Sequence, residues 1–294
     1  MSAHPLTPPP DFDFEALLGV YPARRRATRL GAVGYREAGF SQHQALPVVL
    51  LHGIGSGAAS WVQQFVALAP SRRVLAWDAP GYGESTPLEP ASPEAADYAR
   101  SLEAWLDVMG VQRCVLVGHS LGAIIAGAFA AMRPERIAGL LLISPASGYG
   151  AADSEVRASK RDARLAMLDE LGPQGLAEKR SSNMLSTEAG SAARAWVRWN
   201  MSRIVPHGYR QATHLLANAD LAGDLVRYTG HIEVAVGSAD IITPPSGCEA
   251  MARAARTTLQ CIPGAGHAGY IERPDAYTSV IERCCLACEE QRSE

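Results

Sequence analysis

Gly118-His119-Ser120-Leu121-Gly122 has the form G-x-S-x-G. An apolar run, Cys114-Val-Leu-Val117, precedes it, and an Ala-rich segment from Leu121 to Met132 follows it. A strand that turns this sharply into a helix crowds its flanks. The positions beside the serine must therefore be small, and the turn lifts the hydroxyl out of the sheet. It also aims the unpaired N–H groups of the helix start at charge developing on a substrate. Ser120 is the candidate nucleophile.

A serine hydroxyl is a weak nucleophile and needs a base. Of the eight histidines, His267 stands just after an apolar run, in Pro263-Gly-Ala-Gly-His267, where glycines give an imidazole room. His4 and His43 fall in expected loops, and His207 and His214 at the end of a helical insertion. His231 opens a strand, and His119 adjoins Ser120 and points elsewhere. The base in turn needs a carboxylate to hold its ring. Asp240 follows an apolar run, in Gly237-Ser-Ala-Asp240, whereas Asp220 and Asp224 precede that run and Glu272 is close to His267 in sequence. Read alone, Asp240 is an ordinary turn acid before Ile-Ile-Thr-Pro-Pro. Two N–H donors are needed for an oxyanion. Leu121 N–H follows the nucleophile, and Ile54 N–H in His52-Gly53-Ile54-Gly55 is the expected second. No Lys-Ser/Thr follows those glycines, so they are not a phosphate-binding P-loop.

Six apolar runs supply the elements that position these residues: Leu46–Leu51, Arg73–Trp77, Cys114–Val117, Gly139–Ile143, Ile232–Val236 and Thr258–Ile262. Runs without alternation indicate strands buried on both faces, as in a parallel sheet covered by helices. Pro93 to Met109 carries apolar residues at helical spacing and stops before Gly110. The alternation predicts a doubly wound, mostly parallel α/β sheet. Arg29 to Gly39 is expected to add antiparallel edge strands. From Ala146 to Thr213 no strand is evident, while Ser154–Leu171 and Ala189–Ile204 read as helices. A stretch this long is not a plain loop. The expected organisation is a loose leader over 1–20, a core formed by 21–145 and 214–294, and a helical lid over 146–213.

Hydrophobic residues make up 47% of the 294-residue chain and charged residues 19%, a core-forming composition. The net charge of −3 lacks the basic excess of a nucleic-acid binder. No apolar stretch approaches the ~20 residues of a membrane helix, and the N-terminus has no basic region leading into an apolar one. A cytoplasmic protein acting on a small molecule, without nucleic acid or membrane partner, is expected; a homo-oligomer is left open. No cofactor or metal is called for. Cys285-Leu-Ala-Cys288, preceded by Cys284, is a CxxC, but it lies in an apparent helix with no second CxxC or nearby histidine cluster. The segment 146–213 holds 10 Lys+Arg against 7 Asp+Glu on a chain that is negative overall. A basic lid favours an anionic substrate if Arg157, Arg161, Arg164, Arg194 and Arg198 face inward, and means nothing if they face water.

His52-Gly-Ile-Gly55, Asp78-Ala-Pro-Gly-Tyr-Gly-Glu-Ser85, Gly118-His-Ser-Leu-Gly122, Gly237-Ser-Ala-Asp240 and Gly264-Ala-Gly-His267 together resemble the α/β-hydrolase superfamily, in order and over nearly the whole chain outside leader and lid. The order Ser120, Asp240, His267 is the one that fold uses. The resemblance implies an α/β-hydrolase fold and an ester or lactone hydrolase similar to the enol-lactonase, carboxylesterase and meta-cleavage-product hydrolase branch. Members that carry Asp at the nucleophile position, the dehalogenases and epoxide hydrolases, are disfavoured by Ser120. Carbon–carbon hydrolases of ring-fission products typically carry Trp after the histidine, where this chain has Ala268. Ligand receptors and acyltransferases on the same fold remain alternatives.

Overall fold

The computed structural model describes residues 13–40 and 45–290. His4 and His43 lie outside them. The chain begins with α1 (Phe14–Val20), β1 (Arg24–Thr28), β2 (Gly31–Ala38), β3 (Val48–Leu51), α2 (Val62–Leu68) and β4 (Val74–Trp77). It continues with α3 (Ala95–Val108), β5 (Cys114–His119), α4 (Leu121–Met132) and β6 (Ile137–Ile143). Four helices then intervene: α5 (Ser154–Arg180), α6 (Ser191–Ser202), α7 (Pro206–Asn218) and α8 (Leu221–Leu225). The chain closes with β7 (Ile232–Gly237), α9 (Pro245–Ala254), β8 (Leu259–Ile262), α10 (Gly269–Glu272) and α11 (Pro274–Glu290).

The strands form one eight-stranded sheet in the order β1-β2-β4-β3-β5-β6-β7-β8. The pairs β1–β2 and β2–β4 are antiparallel and the rest are parallel. All six expected strands and the antiparallel edge form. The continuous apolar runs are explained by successive side chains pointing to opposite faces. Val49, Leu51, Leu75 and Leu116 enter the core cluster on one face, and Val48, Leu50, Val74 and Val115 the cluster on the other. Both faces are covered over β3 to β6, so no polar alternation survives there; β8, expected to be buried, is an edge strand whose Cys261 is exposed and whose other residues are half-buried. At the outer edge, β1 carries exposed Arg24, Arg25 and Arg26, charges that discourage pairing with another sheet.

Two expectations are refined. Residues 14–20 of the expected loose leader are helical, because Asp13 caps the start (Ala16 N–H to Oδ1, 3.0 Å) and Phe14 packs on Trp196 with ring centroids 4.4 Å apart. A division at 213/214 falls inside α7, which runs on to Asn218. α5 also runs past Leu171. It bends at Gly172, whose φ of 60° and ψ of −179° are not helical, and Pro173 starts its second half. No described helix is long and apolar enough to cross a membrane.

Candidate active site

Six loops leave the same end of the parallel strands: Gly53 follows β3, Asp78 follows β4, Ser120 β5, Ser144 β6, Asp240 β7 and His267 β8. Ligands of open α/β sheets bind at the carboxyl ends of the strands, and five of these loops, all but the one after β4, line a cavity of about 250 Å³ there. Ser120 and His267 line it from the sheet side, and Arg164, Arg180, Val197 and Met201 from the inserted helices.

Ser120 sits at φ 53° and ψ −112° between β5 and α4. A non-glycine residue at such a φ costs about 1–3 kcal/mol and persists only where its surroundings enforce it. The flanking glycines explain how they do so. A Cβ at Gly118 would lie 2.5 Å from Gly122 O, and one at Gly122 would lie 2.3 Å from Leu51 O. Those are backbone atoms that cannot step aside. The Ser120 hydroxyl makes no hydrogen bond with a described residue and faces the cavity. Neither Ile54 N–H nor Leu121 N–H donates to a described residue, so both donors are unspent.

Asp240 Oδ2 lies 2.9 Å from His267 Nδ1, and the side chains are 0% and 1% exposed. The other carboxylate oxygen accepts from Ile242 N–H (2.8 Å) and Thr243 N–H (2.9 Å). Burial works against the Asp240 charge, but the hydrogen bond and charge of His267 and the Thr243 N–H outweigh it, holding the carboxyl down at about 2. Asp240 is thus ionised at neutral pH, and His267 Nδ1 must carry a proton toward it. That leaves Nε2 as the basic nitrogen on the cavity side. The structure brings Asp240 and His267 into contact, and places Ser120 on the same cavity wall without a Ser120–His267 hydrogen bond. A serine and a histidine so placed commonly come within hydrogen-bond distance only when a ligand binds.

A model of the alpha/beta hydrolase family matches residues 48–280. The putative carbamate hydrolase RutD of Variovorax paradoxus is 30% identical over 235 residues, covering 75% of this chain and 84% of that protein. The chain belongs to the alpha/beta hydrolase family. The (lyso)-N-acylphosphatidylethanolamine lipase of Mus musculus is 35% identical over 107 residues, but the match spans only 31% of that protein. Among solved structures, a thermophilic esterase from Thermogutta terrifontis aligns with a TM-score of 0.80 at 26% identity, covering 91% of this chain and 99% of that one. The enol-lactonase from Burkholderia xenovorans LB400 aligns at 0.78 with 22% identity, covering 88% and 98%, a likeness of fold.

Three other titratable residues around the site are held in separate contacts. Glu272 is buried and accepts from Gly266 N–H (2.9 Å), Ser186 N–H (3.0 Å) and the Ser186 hydroxyl. It ties the inserted helices to the loop that carries His267. His52 Nε2 accepts from Ala79 N–H (3.0 Å) while its Nδ1 donates to Gly53 O (2.8 Å), which fixes its tautomer and joins the Gly53 loop to the Asp78 loop. Burial pushes it down despite Asp78 nearby. His119 Nε2–H donates to His267 O (2.9 Å). Burial first, and then the neighbouring His267, push it down to about 3, so it stays neutral.

Sequence reasoning missed Thr243. Its hydroxyl reaches Asp240 Oδ2 (2.9 Å), His267 Nδ1 (3.1 Å) and Ser144 O (3.0 Å). It also missed Arg180. Among the five arginines singled out in the insertion, only Arg164 lines the cavity. Arg161 pairs with Asp162, Arg198 with Glu178, and Arg194 binds backbone carbonyls including Thr187 O. Among the cysteines, the CxxC spacing is not the relevant one. Cys284 and Cys288, one helical turn apart on α11, meet His231, with the three donor atoms within 4.8 Å of one another. His231 also pairs with Glu233 (3.0 Å). The His231 contribution comes from across the fold and carries no sequence signal.

Proposed function

We propose that this chain is a serine hydrolase that cleaves small to medium carboxylic esters or lactones through an acyl-enzyme. The observation that carries the reading is the buried 2.9 Å contact of Asp240 with His267, beside a serine held at a strained turn on the same cavity. Ser120 Oγ attacks the acyl carbonyl while His267 Nε2 takes its proton. Ile54 N–H and Leu121 N–H receive the oxyanion. The imidazolium, stabilised by Asp240, then protonates the leaving alkoxide, and water repeats the sequence to release the acid. The helices between β6 and β7 act as a lid that excludes bulk water.

A cavity of about 250 Å³ is near the small end of the ~300–1,000 Å³ common for ligand pockets, which favours a compact substrate. The likeness to an esterase supports the ester reading. A carbamate resembles an ester at the attacked carbon, so the relative named for that activity fits the same machinery. Ala268 after His267 counts against carbon–carbon cleavage. Purified protein should be assayed with a short phenyl ester, a lactone, a carbamate and a ring-fission dienoate. Turnover of the ester or lactone is expected. Fast cleavage of the dienoate alone, or of none of them, would overturn the reading.

A further inference from the structure

Among the described residues, the wall of the cavity includes two arginines, Arg164 and Arg180, and no Asp or Glu. Asp240, the nearest acid to the chemistry, is turned into its bonds with His267 and the Ile242–Thr243 backbone. The acids of the inserted helices that form ion pairs are committed elsewhere: Asp162 to Arg161, Asp169 to Arg210, Glu178 to Arg198 and Asp224 to Arg227. Neither Arg164 nor Arg180 has a carboxylate partner among the described residues. Arg180 makes one weak contact, Nη1 to Met167 Sδ at 3.8 Å. Arg203, in contrast, lies over the Trp199 ring at 4.2 Å.

Helix geometry makes this convergence unusual. Arg164 and Arg180 are 16 residues apart on α5. On a straight helix that separation is about 24 Å of rise and about 160° of rotation, so the two side chains would point to nearly opposite faces. They meet one small cavity because α5 is broken at Gly172 and Pro173 and its second half folds back. The Arg180–Met167 contact spans that break. The two half-buried guanidinium groups line an otherwise mainly apolar wall. They suit an anion that can accept their paired N–H groups.

We infer that Arg164 and Arg180 form a subsite for a carboxylate on the substrate, remote from the bond that Ser120 attacks. The enzyme's preferred substrate is then an ester or lactone that carries a free carboxylate. This inference rests on the hydrolase reading above and adds a charge requirement to it. The carboxylate would hold the substrate by the lid side and present its carbonyl to the sheet side. Closing the lid would bring the two charges together in a space from which water is displaced, where their attraction is less screened.

The test compares monophenyl glutarate with phenyl pentanoate, an ester of equal chain length without the charge. The ratio of kcat/KM, charged over neutral, should exceed about tenfold in the unaltered chain and fall at least about tenfold in Arg164→Gln and in Arg180→Gln. Arg180→Lys should retain more of the ratio than Arg180→Gln, and Arg161→Gln, whose arginine pairs with Asp162 outside the cavity, should leave it unchanged. In the unaltered chain, added salt should lower turnover of the charged ester more than that of the neutral one. Binding of monomethyl glutarate to Ser120→Ala, measured by calorimetry, separates this inference from the reading beneath it. Binding that weakens at least about tenfold with either Arg→Gln change supports the subsite even if no ester is cleaved. Ratios within threefold of the unaltered chain, with both esters cleaved and binding indifferent to the arginines, would overturn the subsite and leave the hydrolase standing.

Discussion

Asp240→Asn is the substitution whose consequence is most fully determined by the geometry. The asparagine oxygen can replace Oδ1 and keep the Ile242 and Thr243 N–H bonds, so the fold is expected to survive. Its amide nitrogen would then occupy the Oδ2 position, 2.9 Å from His267 Nδ1. A donor there forces the neutral ring to place its proton on Nε2, the nitrogen that must accept from Ser120. The charge is lost as well. A carboxylate 2.9 Å from an imidazolium, at an effective dielectric constant of about 20, is worth about 6 kcal/mol by Coulomb's law. At about 1.4 kcal/mol per decade, that corresponds to a loss of about 10⁴ in rate, the size reported for the same change in serine-protease triads. The assay is kcat/KM on a short phenyl ester near neutral pH, with circular dichroism and thermal unfolding as fold controls. A folded Asp240→Asn protein that loses less than about tenfold would refute this role for Asp240 and the tautomer argument with it.

Thr243→Val removes a hydroxyl that touches both Asp240 and His267 while keeping the side-chain shape. A drop of about tenfold in kcat with KM changed less than about threefold is expected from loss of one charge-assisted hydrogen bond, and unchanged kcat would remove Thr243 from the account. Glu272→Gln sets an amide donor against one of the N–H or O–H donors that Glu272 now accepts from Gly266 and Ser186. That should cost about 1–3 kcal/mol and lower the melting temperature by several degrees, read by calorimetry. Acid should weaken the native state through Asp240. Its carboxyl is held at about 2 in the fold against about 3.9 in an unfolded chain, so its contribution is present above about pH 4 and is lost as pH falls toward 2. Asp240→Asn should flatten that part of the acid-unfolding curve.

The strands and the residues at their ends were legible because each carries a local signal. Ser120 is marked by glycines that the close approach of Leu51 and Gly122 backbone requires, and His267 by the small residues before it. The run that places Ser120, on β5, is apolar without alternation because both of its faces are covered, and the run before His267 is the edge strand β8. Thr243 carries no local mark because its work depends on His267, which is distant in sequence. Arg180 lies beyond the end of the helical periodicity at Leu171. The break at Gly172 and Pro173 resets the facing of everything after it, and no periodicity carries across such a break. The meeting of His231 with Cys284 and Cys288 was hidden for the same reason as Thr243: it is made by packing α11 against the sheet. The helix over Phe14–Val20 is held by contacts such as Phe14 with Trp196, which a proline-rich start does not advertise.

The central claim is that Ser120 is an activated nucleophile, and covalent labelling measures that directly. A fluorophosphonate incubated with the native protein should add one adduct by intact mass, and peptide mapping should place it on Ser120. Ser120→Ala should remain unlabelled, and Asp240→Asn should label far more slowly than the native chain. Labelling of Ser120→Ala at the native rate, or a native protein that stays unmodified while a control serine hydrolase is fully labelled, would contradict the account.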